Sequence, residues 1–139
     1  MANLGPKSTS PNTQRPFQSG RAEGQKSGAN VSTNVEWLFD TGAMVCAVTK
    51  NVADQFDLTP TGATAKGTTG GGGIIMKKGL TITFDLEDAA GRRSTVSSNM
   101  PVGVKPNNSG NEVVGMDQMT NVNAKIEWDP GAQSGRIYK

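Results

Sequence analysis

Large apolar side chains are scarce over the first thirty positions and then arrive in short bursts. Residues 1–30 hold only Met1, Leu4 and Phe17, set among Ser, Thr, Asn, Gln, Gly and Pro. Nothing there recurs at a strand or helix period, which predicts a disordered tail or linker over 1–30. From Val31 the rhythm changes to short strands broken by turn signals, the pattern of an all-β barrel or sandwich over 31–130. Trp37-Leu38-Phe39 and Val45 to Val48 are apolar runs. Thr49 stands before Val52 and Phe56, four residues apart, and predicts a capped short helix over 51–56. Leu80, Ile82, Phe84 and Leu86 alternate with Thr81, Thr83 and Asp85, the clearest half-buried strand in the chain. Ala89-Ala90-Gly91 predicts a turn into a return strand over 94–100. Ala124, Ile126 and Trp128 alternate with polar residues and predict a last strand before Pro130. Residues 131–139 read as a loose C-terminal tail, with Ile137 and Tyr138 able to add a contact.

Composition narrows this picture. A chain of 139 residues has room for one domain. Leu, Ile, Val and Phe make up only 25 of those residues and glycine 18. Either part of the chain is unfolded or the folded part completes its core by association. No apolar run is long enough to span a bilayer, and the N-terminus lacks a signal-peptide core, so a soluble, non-secreted protein with no membrane partner is expected. Lys7, Arg15, Arg21 and Lys26 stand against Glu23 in the first thirty residues, whereas the remainder carries 10 basic and 11 acidic groups. The basic character thus belongs to the tail, which allows weak nucleic-acid contact. Without dense Arg/Lys blocks, a solvated linker is the favoured reading of that tail.

The chain has no histidine and one cysteine. Ser–His and Cys–His catalytic pairs are excluded, as are histidine or multi-cysteine zinc sites and an internal disulfide. No cofactor or metal is expected, and acid–base chemistry falls to carboxylates, lysine, tyrosine or the lone thiol. Attention therefore turns to Phe39-Asp40-Thr41-Gly42-Ala43. An apolar strand delivers a carboxylate to a sharp turn. The Thr41 hydroxyl can bond nearby backbone, and Gly42 and Ala43 let another backbone come close. Alone, Asp-Thr-Gly also fits an ordinary Asx turn at a strand end. Three features add weight: apolar runs on both sides, the glycine-rich stretch 67–73 followed by Ile74 and Ile75, and Val113-Val114-Gly115-Met116-Asp117 before a short helical stretch. The glycine stretch by itself also fits a floppy hairpin loop. No Gly-Lys-Ser/Thr follows it, so a phosphate cradle is disfavoured.

In this order and spacing, the strand and Asp-Thr-Gly-Ala at 37–43, the glycine-rich segment at 67–76, the strand pair at 80–102, Val113-Val114-Gly115 and the closing strand at 124–128 resemble the retropepsin family, single-domain aspartic proteases of retroviruses and retroelements. The resemblance covers about 90 residues. It implies a small closed β-barrel-like acid-protease fold with one or two short helices, one lobe per chain. It implies catalysis by Asp40, Thr41 and Gly42, with Ala43, Gly70, Gly71, Gly72, Gly73, Ile74 and Ile75 at the substrate, the glycines forming a flap. Because the chain has a single Asp-Thr-Gly, it implies a homodimer in which two Asp40 carboxylates meet, acting on a peptide or polyprotein in the cytoplasm or in a viral or retroelement particle. The chain departs from the family in two places. The region of the strand hairpin that usually precedes Asp-Thr-Gly, from about Gln18 to Asn34, is polar and glycine-rich, so the hairpin is either degenerate or short and built around Val31 and Val35; this obscures the dimer edge built by the N-terminus in viral members, and the flap has no aromatic residue.

The remaining candidates read as structural. Cys46 is expected to be buried and inert, Asp117 to cap a helix, Trp37 and Trp128 to pack in a core or interface, and Lys77-Lys78 and Arg92-Arg93 to be solvated. Two non-enzymatic readings stay open: a non-catalytic dimerisation or peptide-binding domain of the same fold, and an unrelated small β-domain in which Asp-Thr-Gly is only a turn.

Overall fold

A computed structural model describes residues 2–7, 15–66 and 73–139. The described residues are mostly β. The strand Leu80–Leu86 anticipated from alternation is β7 (Thr81–Glu87), and its Leu80, Ile82, Phe84 and Leu86 side chains are all buried. Across Asp88–Gly91, where the Asp88 carboxylate accepts from the Ala90 and Arg92 amides, the chain returns as β8 (Arg93–Ser98). Phe84 meets Phe39 edge-on at 5.1 Å, and the Trp37 indole N–H donates to the Thr83 carbonyl at 3.2 Å. These contacts fasten β3 (Ala29–Phe39), which carries both aromatics, over β7.

The disordered tail expected over 1–30 is corrected by two strands. β1 is Asn3–Leu4, and β2 (Phe17–Lys26) pairs with β3 along its whole length, from Phe17 opposite Leu38 to Lys26 opposite Ala29. The other edge of β2 pairs with β7 through Arg21, Ala22 and Glu23. The hairpin that leads into Asp-Thr-Gly is therefore long rather than degenerate. Its polar composition concealed it because β2 is held by backbone pairing on both edges and buries few apolar side chains. Gln18 extends the β7 ladder with its amide, donating to the Asp85 carbonyl and accepting from the Asp85 N–H. The glycines that suggested disorder make room for aromatics. A Cβ on Gly20 would sit 2.6 Å from the Trp37 ring, and one on Gly24 would sit 2.9 Å from Phe56. Two of the supposed tail cations lie in this hairpin and are paired, Arg21 with Glu23 and Lys26 with Asp57.

The loose tail expected at 131–139 is likewise a strand. β12 (Ser134–Tyr138) pairs with β11 (Lys125–Asp129) through five residues, with β1 through Gly135 and Arg136, and with β7 at Tyr138. Ile137 is fully buried, and Arg136 binds Glu127 and Glu87 while lying over the Tyr138 ring. The sheet thus extends beyond the expected 31–130 domain at both ends.

The rest of the sheet comprises β4 (Ala47–Val48), β5 (Thr59–Lys66), β6 (Gly73–Lys78), β9 (Val102–Val104) and β10 (Glu112–Val114). Among the described residues the ladders follow an open path, β1-β12-β7-β2-β3-β10-β4-β9-β6-β5, with β11 on β12 and β8 on β7. Among these residues no ladder closes the path into the barrel anticipated from sequence. The all-β class is as expected. The helices are α1 (Lys50–Ala53) and α2 (Met116–Asn121). α1 is shorter than anticipated, and Thr49 at its N-cap makes no side-chain cap bond. Among the described residues no helix is long and apolar enough to cross a membrane.

Candidate functional site

β3 ends at Phe39 and delivers Asp40 to a tight turn. β10 lies between β3 and β4, parallel to β3, with Glu112, Val113 and Val114 opposite Trp37, Leu38 and Phe39. The Asp40 amide continues this ladder by donating to the Val114 carbonyl at 3.1 Å. The Asp40 side chain is half-buried, and its Oδ1 accepts from the Gly42 amide at 2.9 Å, while the Ala43 amide donates to the Asp40 carbonyl at 3.1 Å. This is the Asx turn that the tripeptide allowed. Its inner side is fixed by β10, and Thr41 and Gly42 are exposed.

The segment after the turn is tied to the start of α2. The Met116 amide donates to the Ala43 carbonyl at 2.8 Å and the Asp117 amide to the Met44 carbonyl at 3.2 Å. Gly115 makes the approach possible: a Cβ there would lie 2.5 Å from the Val45 carbonyl oxygen and 2.9 Å from that of Ala43. Asp117 does not cap α2 from outside, as the sequence suggested. It lies within the helix, Gly115 is the N-cap, and the Asp117 Oδ1 accepts from the Cys46 amide at 3.0 Å and the Gln118 amide at 2.7 Å. Burial pushes the Asp117 carboxyl up from its ordinary value, and the backbone N–H donors partly offset this. The Cys46 thiol is raised well above its ordinary value by burial first and then by the Asp117 and Glu112 carboxylates. It is buried and protonated, an inert thiol as expected.

A cleft of about 360 Å³ opens beside the turn. Asp40 and Thr41 line it together with Leu38, Phe39 and, from β11, Ile126 and Trp128. The sequence pattern marked β11 as a strand but gave no sign that it faces Asp40, because that proximity is set by how β12 carries β11 around the sheet. Exposed apolar residues near the turn also escaped the sequence reading. Met44 is 83% exposed and Met116 44% exposed, and backbone bonds join their two segments.

The glycine-rich candidates divide. Gly70, Gly71 and Gly72 lie outside the described residues. Gly73 begins β6, which pairs with β5 from Gly73–Lys66 to Lys78–Thr59 with an irregularity between Pro60 and Thr64. Ile74 and Ile75 point to opposite faces, as strand alternation requires. Ile74 is buried against Gly103, where a Cβ would lie 2.5 Å from its Cγ2, whereas Ile75 is 49% exposed. Of the two isoleucines expected at the substrate, Ile75 presents an open side chain and Ile74 a buried one. Within the sheet, β9 and β4 separate β6 from β10, so the hairpin and the Asp40 turn are linked through that ladder.

Comparison with models of protein families gives no match, and a search among curated proteins gives none. The functional reading rests on this geometry and on the residues that form it. Among the described residues, no group of three His, Cys, Asp or Glu is placed to hold a metal ion.

Proposed function

We propose that the chain is one half of an aspartic endopeptidase that acts as a homodimer. The observation that carries this reading is the Asp40-Thr41-Gly42 turn. A parallel β10 and α2 hold it from behind, while Thr41 and Gly42 face outward beside a cleft. A single chain offers one such carboxylate, and the chemistry needs two. In the dimer, Asp40 of each copy meets the other across a two-fold axis and the pair shares one proton, the logic established for aspartic proteases as a class. The ionised carboxylate takes a proton from a water whose oxygen attacks the scissile carbonyl carbon. The protonated carboxylate donates to the carbonyl oxygen. As the tetrahedral intermediate collapses and the C–N bond breaks, the carboxyl that took the water proton passes it to the leaving amine, and a hydroxyl of the intermediate returns a proton to the other carboxylate.

The finer reading of the fold follows: one acid-protease lobe per chain, with a barrel-like core and the β5–β6 hairpin as its flap. An extended peptide would pair with the hairpin as an added strand, its apolar side chains meeting Ile75 and Met44. The natural substrate on this reading is a polyprotein, in the cytoplasm or a viral or retroelement particle.

The test is incubation of the purified full chain with a mixed peptide library at about pH 5, where a shared-proton dyad works. Cleavage is expected, and Asp40→Asn should abolish it while leaving thermal unfolding unchanged. Undiminished cleavage by Asp40→Asn rejects the reading. One observation favours a second reading, a non-catalytic peptide-binding domain. β1 pairs with β12 of its own chain, so the N-terminal strand used for dimerisation in viral retropepsins is already engaged. Peptide binding without turnover across the acid range would select that alternative.

A further inference from the structure

We infer that Asp117 is the positioning residue of the Asp40 turn, an inference that rests on the endopeptidase reading for its catalytic consequence. Three hydrogen bonds join the segment Ala43–Cys46 to the start of α2. Two of them, from the Met116 amide to Ala43 and from the Asp117 amide to Met44, are backbone bonds that survive any side-chain replacement. The third is the acceptance of the Cys46 amide by Asp117 Oδ1 at 3.0 Å, and it depends on the side chain.

The carboxylate is well suited to this task. The same oxygen accepts the Gln118 amide at 2.7 Å, so it is aligned by its own helix before it reaches the neighbouring segment. Cys46 is fully buried, and the Asp117 oxygen is the acceptor its amide uses. From Cys46 the chain enters β4, which pairs with β10, and β10 in turn pairs with β3 and receives the Asp40 amide. Asp117 therefore closes a loop of contacts. The Asp40 amide is held by β10, the Ala43 and Met44 carbonyls by the first amides of α2, and the Cys46 amide by the Asp117 side chain. A turn held at both ends keeps its carboxylate in one place, which a dyad with a sub-ångström tolerance requires.

The test compares the full chain with Asp117→Ala and Asp117→Asn. Amide hydrogen exchange read by NMR without substrate decides the positioning role whether or not the chain cleaves peptides. Asp117→Ala should speed exchange at Cys46 by about tenfold or more while β7 amides keep their protection, since local opening is independent of the core. Asp117→Asn retains an acceptor oxygen and should restore most of that protection. In cleavage assays, Asp117→Ala should lower kcat by about 100-fold with KM nearly unchanged, because misplacement of the carboxylate affects the chemical step. Asn should recover most of kcat. Wild-type exchange at Cys46 in Asp117→Ala overturns the inference. So does a loss of protection spread evenly over the whole chain in both variants. Local loss at Cys46 with no cleavage by the wild type would support the positioning role and reject the endopeptidase reading.

Discussion

Gly115 and Gly20 matter at the residue scale because of what another chain segment places beside them. A Cβ on Gly115 would press on the Val45 and Ala43 carbonyls, and one on Gly20 would meet the Trp37 ring and the Thr83 carbonyl. Backbone and a packed indole cannot yield cheaply, so Gly20→Ala should cost about 1–3 kcal/mol, as overpacking does, measured by urea unfolding. Gly115→Ala should cost a similar amount and also displace the segment after Asp40, lowering cleavage more than stability alone explains. Asp117 adds a pH signature. Its folded-state pKa is raised by burial and partly lowered again by the backbone amides it accepts, while its charge and that of Glu112 act on the buried Cys46 thiol. The folded chain therefore holds the proton where the unfolded chain has lost it. This contribution to stability is full below the ordinary carboxylate value and fades as pH rises through the raised one. Urea midpoints taken from pH 3 to 7 should show that downward component in the wild type and lose it in Asp117→Asn; equal slopes would refute it.

At the scale of elements, the ends of the chain count most. β12 joins β1, β7 and β11, and its Ile137 side chain is fully buried. Ile137→Ala should cost about 2–5 kcal/mol, the range for deleting a buried aliphatic side chain. Removing residues 131–139 should abolish cooperative unfolding; a truncated chain with a wild-type melting curve would show β12 to be dispensable. How legible each element was depends on what holds it. β7 was plain from alternation because one face carries Leu80, Ile82, Phe84 and Leu86 into the core. β2 was hidden because it is secured by pairing to β3 and β7 and by a Gln18 amide, features that leave no period in the hydrophobic pattern. The Asp40 turn was legible, since Asp, Thr and Gly each have a local role. Its neighbours β11 and Asp117 were recognised only as a strand and a helix cap, because their approach to it is set by distant pairings.

At the scale of the whole molecule, the proposed enzyme is incomplete as a single chain. Cleavage rate per chain should fall as the protein is diluted, and the melting temperature should rise with concentration, because association stabilises the folded state by mass action. Excess Asp40→Asn chain mixed with wild type should suppress activity by drawing wild-type subunits into pairs that hold one competent carboxylate. Unchanged activity in that mixture, read by a peptide assay, would argue against a shared site. By itself, the sequence determined the β class, the strand β7, the buried thiol, the carboxylate turn and the exclusion of histidine and disulfide chemistry. These follow from residue identity and short-range period, which act over a few positions. Tertiary structure alone decided that the polar stretch 17–26 forms one arm of a long hairpin with β3 and that β12 joins β1, β7 and β11. It also decided that Gly115 and Asp117 meet residues 43–46, the segment that follows Asp40. Backbone pairing and close approach are satisfied by partners far along the chain, and no local pattern records which partner that will be.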